Sequence, residues 1–315
     1  MFSTFAIYDK QQQTNVLTFL PQLVRFLIDD HASITGATTP MVIVDTYSSA
    51  ADTPHEVPSD PSNLDSLGAN NGWAEGTNVA ADYIILGSPD PSYPFQIGLE
   101  LQSTSVLRII LAPTGGFVTG NDNNDMTNAG NWANTTLTYM DFSIPTGSPY
   151  WSCWISNEGD SIHLVADNST DLCYTFIGKV VNAAAADTHP YVLYKTENYV
   201  GGNSASTGVT ADDWARISAV TGSEIAVQGI SNTLAASTTN DYKVDLDGNY
   251  IPSIVALSGD DATDYKFVGF VNGLKVLPSR ASILGVATSD DDNLLYLSTS
   301  TGLGALVLPW TGSAY

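Results

Sequence analysis

The stretch from residue 149 to 180 (PYWSCWISNEGDSIHLVADNSTDLCYTFIGKV) restricts the possible folds of this chain more than any other segment. Segments rich in aromatic and β-branched residues alternate there with short segments of Asn, Asp, Gly and Ser. These two residue classes favour strands and turns respectively. We therefore predict an antiparallel meander with strands over residues 150–156, 161–166 and 172–180. A further strand, entered through Pro190, is predicted over residues 189–194.

Short apolar runs elsewhere predict more strands, separated by polar loops over residues 48–76 and 120–136 and by a small, polar stretch over residues 200–240. In residues 95–102 every second side chain is apolar, which predicts a half-buried strand with Gln96, Gly98, Glu100 and Gln102 on a wet face. The other strands are predicted over residues 41–44, 81–86, 106–111, 265–271, 274–277, 282–288, 294–300 and 305–308, with a hairpin at residues 289–292.

The first regular element is predicted to be a helix near residues 15–31. Thr14 or Asn15 can cap its start, and Pro21 predicts a kink or the opening of a second short helix. The apolar residues recur at spacings of three and four, and Phe19 and Phe26 add apolar surface beside the main stripe, so its own domain or a neighbouring subunit must cover it. The stripe consists of Val16, Leu17, Leu20, Leu23, Val24, Leu27 and Ile28.

These patterns together predict a mainly β fold, an antiparallel sandwich or barrel-like structure with an N-terminal α-helix. We divide the chain into a helical segment over residues 1–35 and an antiparallel β domain over residues 36–200. Residues 201–315 form a loop-rich insertion followed by C-terminal strands, which we expect to pack with the preceding domain.

The charge balance excludes several functions. The chain has 33 acidic and 10 basic residues and a formal net charge of −23. So few cations cannot form a wide basic stripe, which argues against tight nucleic-acid binding and against docking on an anionic membrane. No apolar run reaches membrane-spanning length. The start, MFSTFAIYDKQQQ, lacks the basic region of a signal peptide, so we expect the chain to fold in a reducing cytosol.

Cysteine and histidine often serve in catalysis or metal binding, but here both are expected to be structural. Cys153 and Cys173 fall on the first and third strands of the meander, about 10 Å apart, too far for a disulfide, so we expect free thiols. His163 alternates with Ile162 and Leu164 in its strand. We expect a hydrogen-bonded or exposed strand histidine rather than a metal ligand.

The sequence contains none of the common catalytic motifs: no G-x-S-x-G, H-E-x-x-H, P-loop or C-x-x-C. We therefore expect no enzyme activity and assign no catalytic, cofactor-binding or metal-ligating residue. Glu158 and Asp160 are expected to be solvated turn residues. Residues 245–249 resemble the start of a calcium loop but lack its later ligands, which favours a hairpin turn.

Aromatic residues leave one alternative open. Trp151 and Trp154 lie an odd number of positions apart, so they face opposite sides of a regular strand, and we expect one of them in the core. Exposed aromatic rings or paired carboxyl groups would suit a carbohydrate-binding or carbohydrate-active β protein, such as a receptor-binding component.

A resemblance to a known family covers about half of the chain. Between residues 150 and 191 the chain carries, in order, YWS, GDSIHLV, YTFIGK and HPY, and residues 268–275 and 294–297 add VGFVNGLK and LLYL. These runs resemble virion structural proteins of tailed bacteriophages.

The resemblance implies a structural subunit that forms an oligomeric ring in the neck, tail or baseplate, with no catalytic residues. Its partners would be copies of itself and other virion proteins. It would fold in the host cytoplasm and reside in the virion. A low cation content suits a protein that borders a DNA channel without binding the DNA tightly.

Overall fold

The structure is a computed structural model. It describes residues 5–12, 16–30, 41–87, 95–113, 117, 138–143, 150–156, 159–167, 172–181, 191–197, 213–216, 226–228, 253–260, 265–278, 294–297 and 304–309.

Strands dominate this part of the chain. In chain order they are β1 (Phe5–Gln12), β2 (Val42–Tyr47), β3 (His55–Glu56), β4 (Tyr83–Gly87), β5 (Phe95–Ser103), β6 (Val106–Pro113), β7 (Thr138–Ser143), β8 (Tyr150–Ser156), β9 (Ser161–Asp167), β10 (Leu172–Lys179), β11 (Tyr191–Glu197), β12 (Asp213–Arg216), β13 (Ala226–Gln228), β14 (Ser253–Asp260), β15 (Tyr265–Pro278), β16 (Leu294–Leu297) and β17 (Gly304–Pro309).

Helix α1 (Val16–Arg25) continues into a π-helical turn, Phe26–Asp30, and Pro21 lies inside α1. This element matches the helix predicted near residues 15–31. A 3₁₀ turn (Leu64–Ser66) and the short helix α2 (Gly72–Glu75) lie in the segment predicted as a loop.

The strands form three antiparallel sheets. A six-stranded sheet has the order β3-β2-β4-β5-β6-β7, a seven-stranded sheet the order β1-β8-β9-β10-β11-β12-β13, and a four-stranded sheet the order β14-β15-β17-β16. The mainly β, antiparallel fold class with an N-terminal helix is thus confirmed, and so is the meander, now β8-β9-β10. Strand β1, which the sequence patterns did not predict, precedes the helix and pairs with β8.

The six- and seven-stranded sheets and helix α1 enclose a common apolar core. Phe19 of α1 stacks on Trp151 of β8, and Leu99 of β5 and Leu164 of β9 belong to the same cluster. Arg25 donates to Asp65 Oδ1 at 2.7 Å and ties the end of α1 to the loop before β4. The helix is therefore covered by β elements of its own chain, as its apolar sides require.

The other face of the seven-stranded sheet is also buried. Trp154 and Trp151 point to opposite faces, yet each is 0% exposed. Strand β15 of the four-stranded sheet contacts this second face, where Asn272 Nδ2 donates to Ser161 Oγ at 3.2 Å. The expectation that one of the two tryptophans lies in the core is confirmed for Trp151, and Trp154 is buried as well, on the second face.

Two predictions about strands need correction. Gln96 and Glu100, assigned to a wet face, are 9% and 1% exposed, because the outer side of the six-stranded sheet holds a smaller apolar cluster around Tyr83 and Phe117. The strands predicted over residues 265–271 and 274–277 are one strand, β15, with Gly273 at φ +79° inside it. The predicted loop 120–136, strand 282–288, hairpin 289–292, calcium-like segment 245–249 and residue Glu158 lie outside the described residues.

Candidate functional site

One side chain from each strand of the six-stranded sheet lies in a continuous line across its outer face. Adjacent members are direct cross-strand partners, so the line follows from the strand register. We call this line the cross-strand row. Its members, in spatial order, are His55, Tyr47, Tyr83, Glu100, Arg108 and Asp141.

The alternation of each strand places the row opposite the common core. Leu99 and Leu101 flank Glu100 in the sequence and belong to the core, as do Leu107 and Ile109 beside Arg108. Since neighbouring residues in a strand point to opposite faces, Glu100 and Arg108 point outward. The row therefore places its charged groups on the face opposite the apolar core.

One end of the row is a contact between rings. Tyr47 and Tyr83 stack with centroids 5.5 Å apart, and the His55 ring lies 5.0 Å from Tyr47. The Tyr83 hydroxyl lies 3.4 Å from His55 Nδ1, and Asp45 Oδ2 lies 3.8 Å from the same nitrogen. Among the described residues, His55 Nε2 is buried and has no hydrogen-bond partner.

Two buried carboxyl groups flank the phenol of Tyr83. Asp45 and Glu100 are each only 1% exposed. Burial, and then the charges of Asp45, Tyr47 and Glu100, raise the pKa of Tyr83 above its usual value. The phenol therefore keeps its proton, and its hydroxyl lies within hydrogen-bond distance of His55 Nδ1.

The other end of the row is an ion pair. Arg108 Nε donates to Asp141 Oδ1 at 2.7 Å, and Nη2 donates to Oδ2 at 3.1 Å, while the guanidinium lies 4.7 Å from the Tyr139 ring centroid. The hydrogen bond to Asp141 raises the pKa of Arg108, and the charge of Glu100 adds to the effect. A bidentate pair of this kind fixes the positions of two adjacent strands.

The polar loop between β2 and β4 uses its carboxyl groups to organise its own backbone. Asp82 accepts hydrogen bonds from the Ser49 N–H, the Ser49 hydroxyl and the Val79 N–H at 2.9, 3.0 and 3.1 Å. Asn71 caps α2 through the Trp73 N–H. These contacts are local loop-building bonds of the kind that Asp and Asn commonly make.

Four residues that the sequence analysis discussed lie apart from the row: Cys153, Asp160, His163 and Cys173. Cys153 on β8 and Cys173 on β10 are buried and not joined in a disulfide, with β9 between them, as predicted, and burial raises the pKa of Cys153. His163 is a buried strand histidine whose Nδ1 lies 2.8 Å from the Tyr174 hydroxyl, which confirms the hydrogen-bonded interpretation. Asp160 accepts a hydrogen bond from the Ser156 hydroxyl at 2.8 Å and is only half-buried.

The cross-strand row was missed because its members come from six strands spread over residues 47–141. Only the register of the sheet aligns His55 with Glu100, and no local pattern encodes that register. The one available signal was Glu100, a carboxylate within an alternating strand, but the sequence analysis placed it on a solvent-exposed face.

The row can hold charge and hydrogen bonds across a sheet, since it combines the cation of Arg108 with the carboxylates of Glu100 and Asp141, and the carboxylate of Asp45 lies beside it. No group of three His, Cys, Asp or Glu side chains suited to a metal ion occurs in the part of the chain that the structure describes. Within that same part, no helix is long and apolar enough to cross a membrane.

No protein-family model matches the chain, and no curated protein matches it significantly.

Proposed function

We propose that this chain is a structural subunit of a tailed-bacteriophage particle, forming an oligomeric ring in the neck, tail or baseplate. The sequence resemblance to virion proteins is the starting point. Its two parts, residues 150–194 and 268–297, are separated by more than seventy positions in the chain.

The observation that carries the proposal is that segments from both parts pack together. Residues 150–194 supply β8 to β11, and residues 268–275 lie in β15. A bridge between Val181 and Phe270, with hydrogen bonds of 2.8 and 2.9 Å, and the contact from Asn272 to Ser161 connect the two. Similar segments that form one packed unit support a shared architecture better than scattered similar segments would.

The polar chemistry of the described residues supports a structural role rather than catalysis. Asp82 and Glu56 accept hydrogen bonds from the backbone of their own loop, and Arg108 is engaged by Asp141. These groups stabilise strands and turns. The net charge of −23 suits a subunit that borders a DNA channel without binding the DNA.

Under this proposal the partners are further copies of the chain and other virion proteins, and the subunit folds in the host cytoplasm before it joins the virion. The test is mass photometry and negative-stain microscopy of the full chain at physiological salt. We expect a discrete oligomer, a whole multiple of 33.4 kDa, with a central opening. A monomer under every condition, including in the presence of other purified virion proteins, would contradict the proposal.

A carbohydrate-active protein is the second candidate, and one observation favours it: Asp45 and Glu100 lie on the same sheet face beside Tyr47 and Tyr83. Glycosidases use two carboxyl groups on either side of the scissile bond. Both carboxyl groups are 1% exposed, however, so a substrate would have to displace the groups that cover them. Turnover of a capsular polysaccharide that is lost in both Asp45→Asn and Glu100→Gln would favour this candidate. No turnover is expected from the structural subunit.

A further inference from the structure

The loop between β3 and β4 buries two asparagine side chains in different ways. Asn71, 0% exposed, accepts a hydrogen bond from the Trp73 N–H at 3.0 Å and donates to Glu56 Oε2 at 3.3 Å. Asn78 is 2% exposed, and neither its Oδ1 nor its Nδ2 has a hydrogen-bond partner among the described residues. Nearly all buried polar groups in folded proteins bond either to protein groups or to ordered water. The amide of Asn78 therefore indicates a bound species that is not part of the chain.

The backbone of Asn78 is packed against the first residue of α2. A Cβ added to Gly72 would lie 3.1 Å from both Asn78 N and Ser48 Oγ. The Gly72 N–H donates to Ser48 Oγ at 2.9 Å, which holds α2 against the end of β2. Asn78 is thus held in place, with a hydroxyl group close to its backbone.

The residues after Asn78 form a turn that keeps the amide inside. The Val79 N–H donates to Asp82 Oδ2, and the Asp82 N–H donates to the Val79 carbonyl oxygen, each at 3.1 Å. Ala81 has φ +75°, in the left-handed region, and its N–H donates to the Leu101 carbonyl oxygen at 2.7 Å. Such a conformation persists only where the surroundings hold it. Exposing Asn78 to solvent by moving the turn would therefore break these bonds.

The two ends of the amide decide what it can bind. Oδ1 needs a hydrogen-bond donor or a cation, and Nδ2 needs an acceptor. A metal ion would serve only Oδ1, and an anion would serve only Nδ2. A water molecule donates and accepts at once, and it is small enough for a site in which both amide atoms are buried.

We propose that Asn78 binds an internal water molecule, which is an integral part of the loop between β3 and β4. The water accepts a hydrogen bond from Nδ2 and donates one to Oδ1. Since buried waters typically make about three hydrogen bonds, it also connects the amide to a further polar group of the loop. It thereby stabilises the turn that precedes β4, whatever particle or partner the chain assembles with.

A crystal structure of the full chain, at a resolution that shows ordered waters, tests the proposal directly. We expect a water about 2.7–3.2 Å from both Asn78 Oδ1 and Asn78 Nδ2. Direct hydrogen bonds from both atoms to protein groups would overturn the proposal. A metal ion, an anion or no partner at all at this amide would overturn it equally.

Unfolding equilibria of two leucine variants test the same point through stability. Asn78→Leu removes both polar ends of the side chain and leaves the further partner of the water unpaired, so the unfolding equilibrium constant should rise about tenfold or more. The matched control is Thr77→Leu, at the exposed neighbouring position, which should change the constant about twofold or less.

An amide that binds nothing predicts the opposite result, because leucine would then remove an unpaired buried polar group. An unfolding constant that is unchanged or lower in Asn78→Leu would therefore contradict the proposal. If Asn78→Leu does not fold, the crystal structure of the unmodified chain decides the matter.

Discussion

Phe19 and Trp151 stack with their ring centroids 4.2 Å apart and their planes 24° apart. Phe142 of β7 contacts the same indole at 5.6 Å. One tryptophan of the seven-stranded sheet therefore contacts both helix α1 and the six-stranded sheet. Trp151 thus joins α1 and both large sheets in the common core.

Truncation of Phe19 should strongly destabilise the fold. Phe19→Ala removes a fully buried ring and leaves a cavity beside Trp151, at an expected cost of about 3–5 kcal/mol in unfolding free energy. Urea unfolding followed by tryptophan fluorescence measures the loss. The control is Gln22→Ala, an exposed position on the same helix, which should change stability by about 0.5 kcal/mol or less. Equal unfolding midpoints for both variants would show that α1 does not dock as described.

Two glycines with positive φ angles should respond differently to alanine. Gly178 has φ +139°, and an added Cβ would overlap the carbonyl oxygen of Asp160, whereas Gly76 has φ +71° and open space around it. Gly76→Ala should lower the unfolding free energy only by the strain of an alanine at positive φ, about 1–2 kcal/mol. Gly178→Ala adds a steric clash inside the meander and should cost about 2–5 kcal/mol. Thermal unfolding of the two variants makes the comparison, and a smaller loss for Gly178→Ala would refute the close approach of Gly178 to Asp160 at the start of β9.

The cross-strand row predicts coupling between Glu100 and Arg108. Arg108→Ala removes the bidentate hydrogen bonds to Asp141 and the cation beside the buried Glu100, at an expected cost of about 1.5–3 kcal/mol. Adding Glu100→Gln should recover part of this loss, because the second substitution removes the uncompensated buried charge. A double-mutant cycle of unfolding free energies measures the coupling. Strict additivity would mean that the two groups do not interact.

His163 predicts how stability depends on pH. The pKa of His163 is lowered to about 3 in the fold, whereas an unfolded histidine titrates near 6.5. The unfolded chain therefore binds a proton that the folded chain does not, and stability present above pH 6.5 is lost as the pH falls towards 3. The expected slope from this group is about 1.4 kcal/mol per pH unit. Urea unfolding at several pH values should show a shallower slope for His163→Gln, and parallel slopes would contradict the burial of His163.

The sequence predicted the elements whose signals are local. The strands of the meander and helix α1 agree closely with the observed bounds, because turn chemistry and side-chain periodicity act over a few residues. It missed β1, in which a register shift falls between Tyr8 and Gln11. The Asn-Gly pair at residues 272–273, which separated two predicted strands, lies inside the continuous strand β15.

Layering and register could not be predicted, because they depend on contacts between distant segments. Glu100 and Trp154 show the consequence. The side of the sheet that each faces was assigned from its own strand, but its burial depends on another layer or on neighbouring strands. The cross-strand row escaped prediction for the same reason. His163 was assigned correctly as a hydrogen-bonded strand histidine, but its partner Tyr174 and the overlying Asn272 follow only from the fold.

Sedimentation velocity of the full chain across a salt series, with and without a DNA duplex, tests the proposed ring subunit most directly. Subunits of charge −23 repel one another at low salt, where the screening length is about 30 Å at 0.01 M, and less at physiological salt, where it is about 8 Å. We predict monomers or small species in dilute buffer, larger discrete species as salt rises, and no DNA in the sedimenting complex at any salt. Tight DNA binding at low salt, or assembly that weakens steadily as salt is added, would contradict the account.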